Sequence, residues 1–254
     1  MELKVIAYAR NGHSDKFGIP RQSREESPIM TRIVFEPEFA VKEALRGIEG
    51  FSHLWLIWGF SENDRGQLLT SYQPGNDQVM TPLSWSPTVR PPRLGGNKRM
   101  GVFATRSPFR PNPIGLSSVR LMEVAYPRSL PEGKGDNLEL IVSGADLLDG
   151  TPIYDIKPYL SFSDSHPEAK NGFAEETKDR KLGVRWDLIS GKWTENDSEM
   201  PRKWLEEVSF LLSQDPRPGY QDDPDREYKL DYSGYTITFV VQGMEVIVKK
   251  IEKV

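Results

Sequence analysis

In the first two thirds of the chain, several short segments read as strands from their hydrophobic and polar pattern. Residues 3–10, LKVIAYAR, alternate as a strand, and the turn formers of NGHSDKFGIPRQS predict a loop after it. IMTRIVFEPEFAVKEALRGIEGF begins as a strand near Ile29–Phe35 and passes into a short helix. Pro37 suits its first turn, and Gly47 or Gly50 its end. HLWLIWGF, 53–60, is apolar at nearly every position and predicts a strand buried on both faces. Residues 61–92 are polar, with Gly and Pro throughout, and predict a long irregular excursion. RMGVFATRS and GLSSVRLMEVAY predict two more strands joined by a proline-rich link. NLELIVSGADLLDGTPIYDIKPYLSF supplies another strand, a turn at Asp149–Gly150 and an extended stretch ending before Pro158.

To about residue 163 the chain is therefore mostly β, with at most one helix, and its short strands imply a barrel or sandwich. The pattern then changes. Residues 163–181 have the charge and turn content of a linker, and GVRWDLIS predicts a strand. MPRKWLEEVSFLLSQ puts Trp204, Leu205, Val208, Leu211 and Leu212 on one face at helical spacing. DPRPGYQDDPDREYK is a stiff loop, and YTITFVVQGMEVIVKKI closes as a hairpin turning at Gln242–Gly243. We expect a mainly β domain over 1–163 and a smaller α+β domain over 164–254.

Composition narrows the chemistry. The 254 residues hold no cysteine, which removes disulfides, thiolate nucleophiles and zinc–sulfur sites. Three histidines, His13, His53 and His166, lack ligand spacing, so no metal is expected. No run has signal-peptide or transmembrane length, and we expect a soluble cytoplasmic protein with no membrane partner. The formal net charge of −4 hides an asymmetry. From Ser86 to Val119 there is no acid, while Arg90, Arg93, Lys98, Arg99, Arg106 and Arg110 fall there. Such a segment in a mildly acidic chain points to a local anionic ligand.

Five polar loops share one design: IPRQ at 19–22, TVRPPRLGGNKR at 88–99, ATRSPFRPNP at 104–113, DGTPIYDIKPY at 149–159 and DPRPGY at 215–220. Proline fixes φ, so a neighbouring polar residue loses less entropy when it binds. Arginine adds a planar fork of donors that matches carboxylate or phosphate. The plain alternative is that Pro and Gly only shape the turns. RLGGNKRMG has glycines but neither the spacing nor the helix of a nucleotide-binding turn, so a Rossmann-type fold has no support.

PTVRPPRLGGNKRMGVFATRSPFRPNPIGLSSVRL, with PRQ before it and DGTPIYDIKPYL after it, resembles the TsaA/TrmO family over roughly residues 3–163. QDPRPGY and the terminal hairpin extend the resemblance to a C-terminal domain. It implies a small antiparallel β-barrel methyltransferase that uses S-adenosyl-L-methionine. The reaction it implies is on N6 of threonylcarbamoyl-modified adenosine in the tRNA anticodon loop, with the enzyme a homodimer. Segment 61–88 looks longer than in the compact members.

Carried over by motif, the cofactor contacts would be Pro20, Arg21 and Gln22, His53 and Leu54, Arg106, Leu116, and Asp149, Gly150, Thr151 and Pro152. His53, Asp149 and Arg106 are the candidate catalytic residues, with Asp155 behind them as a proton acceptor. Arg110, Asn112, Arg217 and Tyr220 are the candidate RNA contacts. Each has a plainer reading. His53 can be a strand-end histidine, Asp149 the first residue of an Asp-Gly turn, and Asn112 a turn cap. Trp55 and Trp58 fit a core better than a stacking platform. The competing functions are a non-catalytic tRNA- or nucleotide-binding barrel and a small-molecule methyltransferase.

Overall fold

The computed structural model describes residues 2–60, 86–91, 94, 98–126, 138–177, 181–186, 202–217, 221 and 223–254. Six antiparallel strands close a barrel. They are β1 (Ala7–Arg10), β2 (Met30–Phe35), β3 (His53–Gly59), β6 (Ile114–Ala125), β7 (Glu139–Ser143) and β8 (Pro152–Pro158), in the order β1-β2-β7-β6-β3-β8. Alternate residues fill the interior: Ala7 and Ala9, Ile33 and Phe35, Leu54, Leu56 and Trp58, Leu140 and Val142, Ile153. Gly115 is dictated by Trp58, because a Cβ there would lie 2.2 Å from the indole ring. A small barrel is filled by its own side chains, so its ligand must sit at a mouth or on the wall.

Antiparallel closure sorts the connections between the two ends. Segments 11–29, 60–113 and 144–151 all join strands at the same end. That end thus receives PRQ, both arginine–proline loops and the DGTP turn. The N–H of Phe60 donates to the Pro113 carbonyl (3.0 Å) and closes the base of the middle connection. Inside that connection β4 (Thr88–Val89) pairs with β5 (Met100–Gly101).

The second unit is a four-stranded sheet in the order β10-β11-β12-β9, built from β9 (Gly183–Trp186), β10 (Tyr228–Tyr232), β11 (Tyr235–Gln242) and β12 (Glu245–Lys253). The first helix, α1 (Ser161–Asp164), is a single turn after the barrel. The second, α2 (Arg202–Ser213), buries Trp204, Val208, Leu211 and Leu212, as the sequence periodicity predicts.

Several expectations change. No regular helix follows Pro37. Two 3-10 turns, Lys42–Leu45 and Ile48–Gly50, stand there instead, separated by Gly47 at φ 87°, which cannot continue a right-handed helix. β3 buries only one face, since the wall of a barrel has one inner side, and His53, Trp55 and Ile57 point outward half-buried. RMGVFATRS gives two strand residues and then a 3-10 turn, Val102–Ala104, whose Val102 is buried. YKLDY, of which only Tyr228 and Lys229 fall in the expected loop, is strand β10: Tyr228, Leu230 and Tyr232 alternate inward, a pattern hidden by the charges between and before them. The last hairpin turns at Gly243–Met244, one residue later than expected.

The two units meet through segment 11–29. Phe17 and Ile29 belong to the core of the second sheet, not to the barrel. Gly18, at φ 89°, lies so close to Leu230 that a Cβ would approach its Cδ1 to 2.1 Å. Gly18→Ala is therefore expected to cost about 1–3 kcal/mol, through strain at positive φ and overpacking. Urea unfolding measures it, and an unchanged midpoint would contradict this packing.

Candidate active site

Three loops from distant parts of the sequence meet at the barrel end that carries the prolines. Arg106 Nη1 of the ATRS loop donates to Gln22 Oε1 of the PRQ loop. Behind them stands Asp146, three residues beyond the end of β7. Its Oδ1 accepts the Ser117 hydroxyl of β6, which itself accepts Trp58 Nε1 at 2.9 Å. The backbone at Ser23 and the Arg106 guanidinium both lie close enough to act electrostatically on the Asp146 carboxylate. Burial pushes the Asp146 carboxyl up from its ordinary range, against the lowering effects of the Ser117 hydroxyl and the Arg106 charge. One carboxylate thus sits where PRQ, ATRS, β6 and the barrel interior come together. The sequence reading passed over it: in SGADLLDG only Asp149 carries a turn signal, and the tie to Arg106 needs β6 and β7 side by side.

The DGTP turn has mostly backbone work. Asp149 Oδ1 accepts the Asn11 N–H (3.0 Å), Oδ2 lies 3.5 Å from Arg10 Nη1, and its own N–H donates to the His13 carbonyl (2.9 Å). Gly150 takes φ 79° and donates to Ala9. The Thr151 hydroxyl is buried and donates to Leu148, while Pro152 pairs with Tyr8. Asn11 completes the knot, its Nδ2 donating to Leu147 (2.9 Å) and Thr31 (3.3 Å). In this structure the plainer, turn-capping role of Asp149 is occupied.

Other predicted residues lie apart. Leu54 points into the barrel, 0% exposed, a core side chain with no surface to offer a ligand. His53 sits on the outer wall. Its Nδ1 meets the Ser52 hydroxyl (2.9 Å), its Nε2 lies 3.7 Å from Glu25 and its ring packs edge-on to Tyr159. A row of paired residues explains the Glu25 contact: His53, Arg120, Ser143 and Met30 follow one another across β3, β6, β7 and β2. Strand tilt carries that row around the barrel and brings the chain before Met30 alongside β3. Leu116 is on the outer face of β6, 54% exposed, opposite Ile57. Asp155 is outward on β8 and paired with Lys157 at 2.9 Å. Trp58 is core, whereas Trp55 lies on the outer wall and donates to Asp164.

Among the RNA candidates, Arg110 Nη1 donates to the Thr105 carbonyl (3.2 Å), and Asn112 is exposed two residues before β6. Arg217 is folded back. It makes two bonds to Asp215, at 2.9 and 3.1 Å, and its side chain is 10% exposed. Its carbonyl accepts Arg21 Nη2 at 2.9 Å. Tyr220 lies outside the described residues. Pro20 is buried beneath the PRQ loop. Among the described residues, no group of three or more His, Asp and Glu side chains is placed to hold a metal ion, and no helix is long and apolar enough to cross a membrane.

Residues 8–165 match the tRNA-methyltransferase O N-terminal domain and residues 180–254 the TrmO C-terminal domain. This chain belongs to the tRNA-methyltransferase O family. A tRNA (adenine(37)-N6)-methyltransferase from Eikenella corrodens is 48% identical over 199 residues, 78% of this chain and 95% of the relative. A Pseudomonas aeruginosa protein, whose name includes S-adenosylmethionine-dependent methyltransferase, is 37% identical over 230 residues, 89% of this chain and 86% of the relative. The crystal structure of TrmO from Pseudomonas aeruginosa superposes with a TM-score of 0.69 at 28% identity, covering 99% of this chain and 98% of the other.

Proposed function

We propose that this protein transfers a methyl group from S-adenosyl-L-methionine to N6 of adenosine 37 in tRNA, with threonylcarbamoyladenosine as the form it accepts. The observation that carries the reading is the Gln22–Arg106–Asp146 cluster, where PRQ and ATRS meet. The donor set fits the cofactor: an arginine suits its carboxylate and an aspartate its cationic groups. When bound, the cofactor supplies a methyl group on a sulfonium. The chain's own task is alignment, and positioning of this kind is worth roughly 7–11 kcal/mol. Arg106 and Gln22 hold the donor, Asp146 orients Arg106 and offers negative charge, and Asn112 and Arg110 sit on the loop closest in sequence for the RNA side.

The ureido N6 must lose a proton at or before transfer. His53 lies on the outer wall and Asp149 is engaged by Asn11 and Arg10, so neither is set up as the base. We assign proton removal to the carboxylate of the threonylcarbamoyl group itself, which also gives a reason to prefer the modified base. The enzyme would work in the cytoplasm as a homodimer. Ile114 and Leu116 support the dimer, as neighbouring exposed apolar side chains on the outer face of β6.

Incubation with methyl-tritiated cofactor and tRNA, with and without the threonylcarbamoyl group, tests this reading. We expect label in the modified tRNA only, and His53→Ala to keep kcat within about tenfold, less than the ~10²–10⁴ a lost general base removes. RNA binding without any S-adenosylhomocysteine would return the protein to a non-catalytic binding module.

A further inference from the structure

The sequence gives the C-terminal unit one evident use, RNA binding through DPRPGY. The packing gives it another. Segment 11–29 leaves the barrel after β1, crosses to the second sheet, and returns at β2. On its way out, the Gly12 carbonyl accepts the Ser233 N–H (2.9 Å), and His13 forms a backbone bridge with Tyr232. Phe17 then stacks on Tyr228 and Phe239, with ring centroids 6.5 and 6.4 Å apart. Gly12 and Gly18 are the close approaches: a Cβ at either would collide with Ser233 or Leu230. On the way back, Lys181 reaches Glu26 (3.4 Å) and Ile29 is buried in the second core. Between these anchors lie Pro20, Arg21 and Gln22. Arg21 is itself held by the carbonyl of Arg217, in a turn locked by the Asp215–Arg217 pair, with Asp215 at φ 50°.

We infer that the C-terminal sheet is the mount of the PRQ loop, and that Phe17 and the Asp215–Arg217 turn are positioning residues for the cofactor. A segment of this length between two strands has many conformations. Fixing both flanks to a rigid sheet removes them before the ligand arrives, which is preorganisation in its ordinary sense. From the barrel side, the Arg24 N–H donates to the Gly144 carbonyl (3.0 Å), Glu25 lies 3.7 Å from His53 Nε2, and Gln22 accepts from Arg106. The inference rests on PRQ being part of the cofactor site, and its test separates the two claims.

The variants are Asp215→Ala, which releases the Arg217 turn, and Phe17→Leu, a milder change that keeps the core apolar. Both are made in the full chain. Hydrogen exchange of residues 19–26 is read first and requires no ligand. We expect it to speed up by about tenfold in both variants, with β3 and β6 protection unchanged, as for a locally opened segment. Cofactor affinity by calorimetry is then expected to fall by about fivefold while KM for tRNA stays within twofold. Unchanged exchange at 19–26 in both folded variants overturns the inference. So does a raised KM for tRNA with unaltered cofactor affinity, which would make the Arg217 turn an RNA contact. If exchange speeds up but the wild type binds no S-adenosylmethionine, the mount stands and the assigned cofactor falls.

Discussion

Arg106→Ala is expected to lower methyl transfer to tRNA at least tenfold, and toward a hundredfold, without unfolding the protein. Two losses combine. Gln22 loses the partner that joins PRQ to ATRS, and Asp146 keeps its buried carboxylate with the nearest cation gone. Leaving a partly buried charge uncompensated costs several times what an exposed ion pair is worth, about 1 kcal/mol or less. The effect should fall on cofactor affinity and kcat more than on KM for tRNA. Arg106→Lys should rescue little, because a single ammonium cannot reproduce the planar fork that bonds Gln22 and suits a ligand carboxylate. Turnover within threefold of wild type for Arg106→Ala would remove the cluster from the active site.

The second large effect is on stability in acid. His13 is 1% exposed, and among the described residues neither ring nitrogen has a hydrogen-bond partner. Desolvation lowers its pKa from 6.5 to about 4. The folded protein therefore binds this proton less readily than the unfolded chain, and stability falls as pH drops through the window from 6.5 to 4. At 1.36 kcal/mol per unit, the loss is about 3 kcal/mol by pH 4. Asp146 works the other way, since its raised carboxyl takes a proton more readily in the folded state. A difference measurement isolates His13. His13→Phe keeps the ring against Tyr232 and removes both unpaired nitrogens. It should be at least as stable as wild type at pH 7 and lose about 3 kcal/mol less between pH 7 and 4. Equal pH slopes for the two proteins in urea titrations would contradict a buried neutral histidine. The joint at stake lies beside the site, because the His13 carbonyl holds the Asp149 N–H.

Legibility in the sequence followed the range of the interaction. Strands β1, β2, β6 and β7, helix α2 and the Asp149–Gly150 turn were readable, because alternation, helical spacing and turn chemistry act within a few residues. Leu54 and Leu116 show the limit. Both fell inside matching motifs, yet one points into the core and the other into solvent, and only the register of β3 against β6 decides which. The side of the wall on which His53 sits is set in the same way, by barrel closure.

What the sequence determined alone was the mostly β character, the proline-stiffened basic loops and the family they resemble. Each is encoded locally, by φ restriction, side-chain period or motif. What the tertiary structure decided was assembly. Closing six strands put three remote loops at one end, set the Asp146 carboxylate within electrostatic reach of Arg106 while Asp149 is taken up by Asn11 and Arg10, and packed the flanks of the PRQ segment on the second sheet. Those contacts join residues 84 to 196 positions apart, as Gln22–Arg106 and Arg21–Arg217 do. No pattern along the chain carries such pairings; they exist only once strand order and shear are fixed.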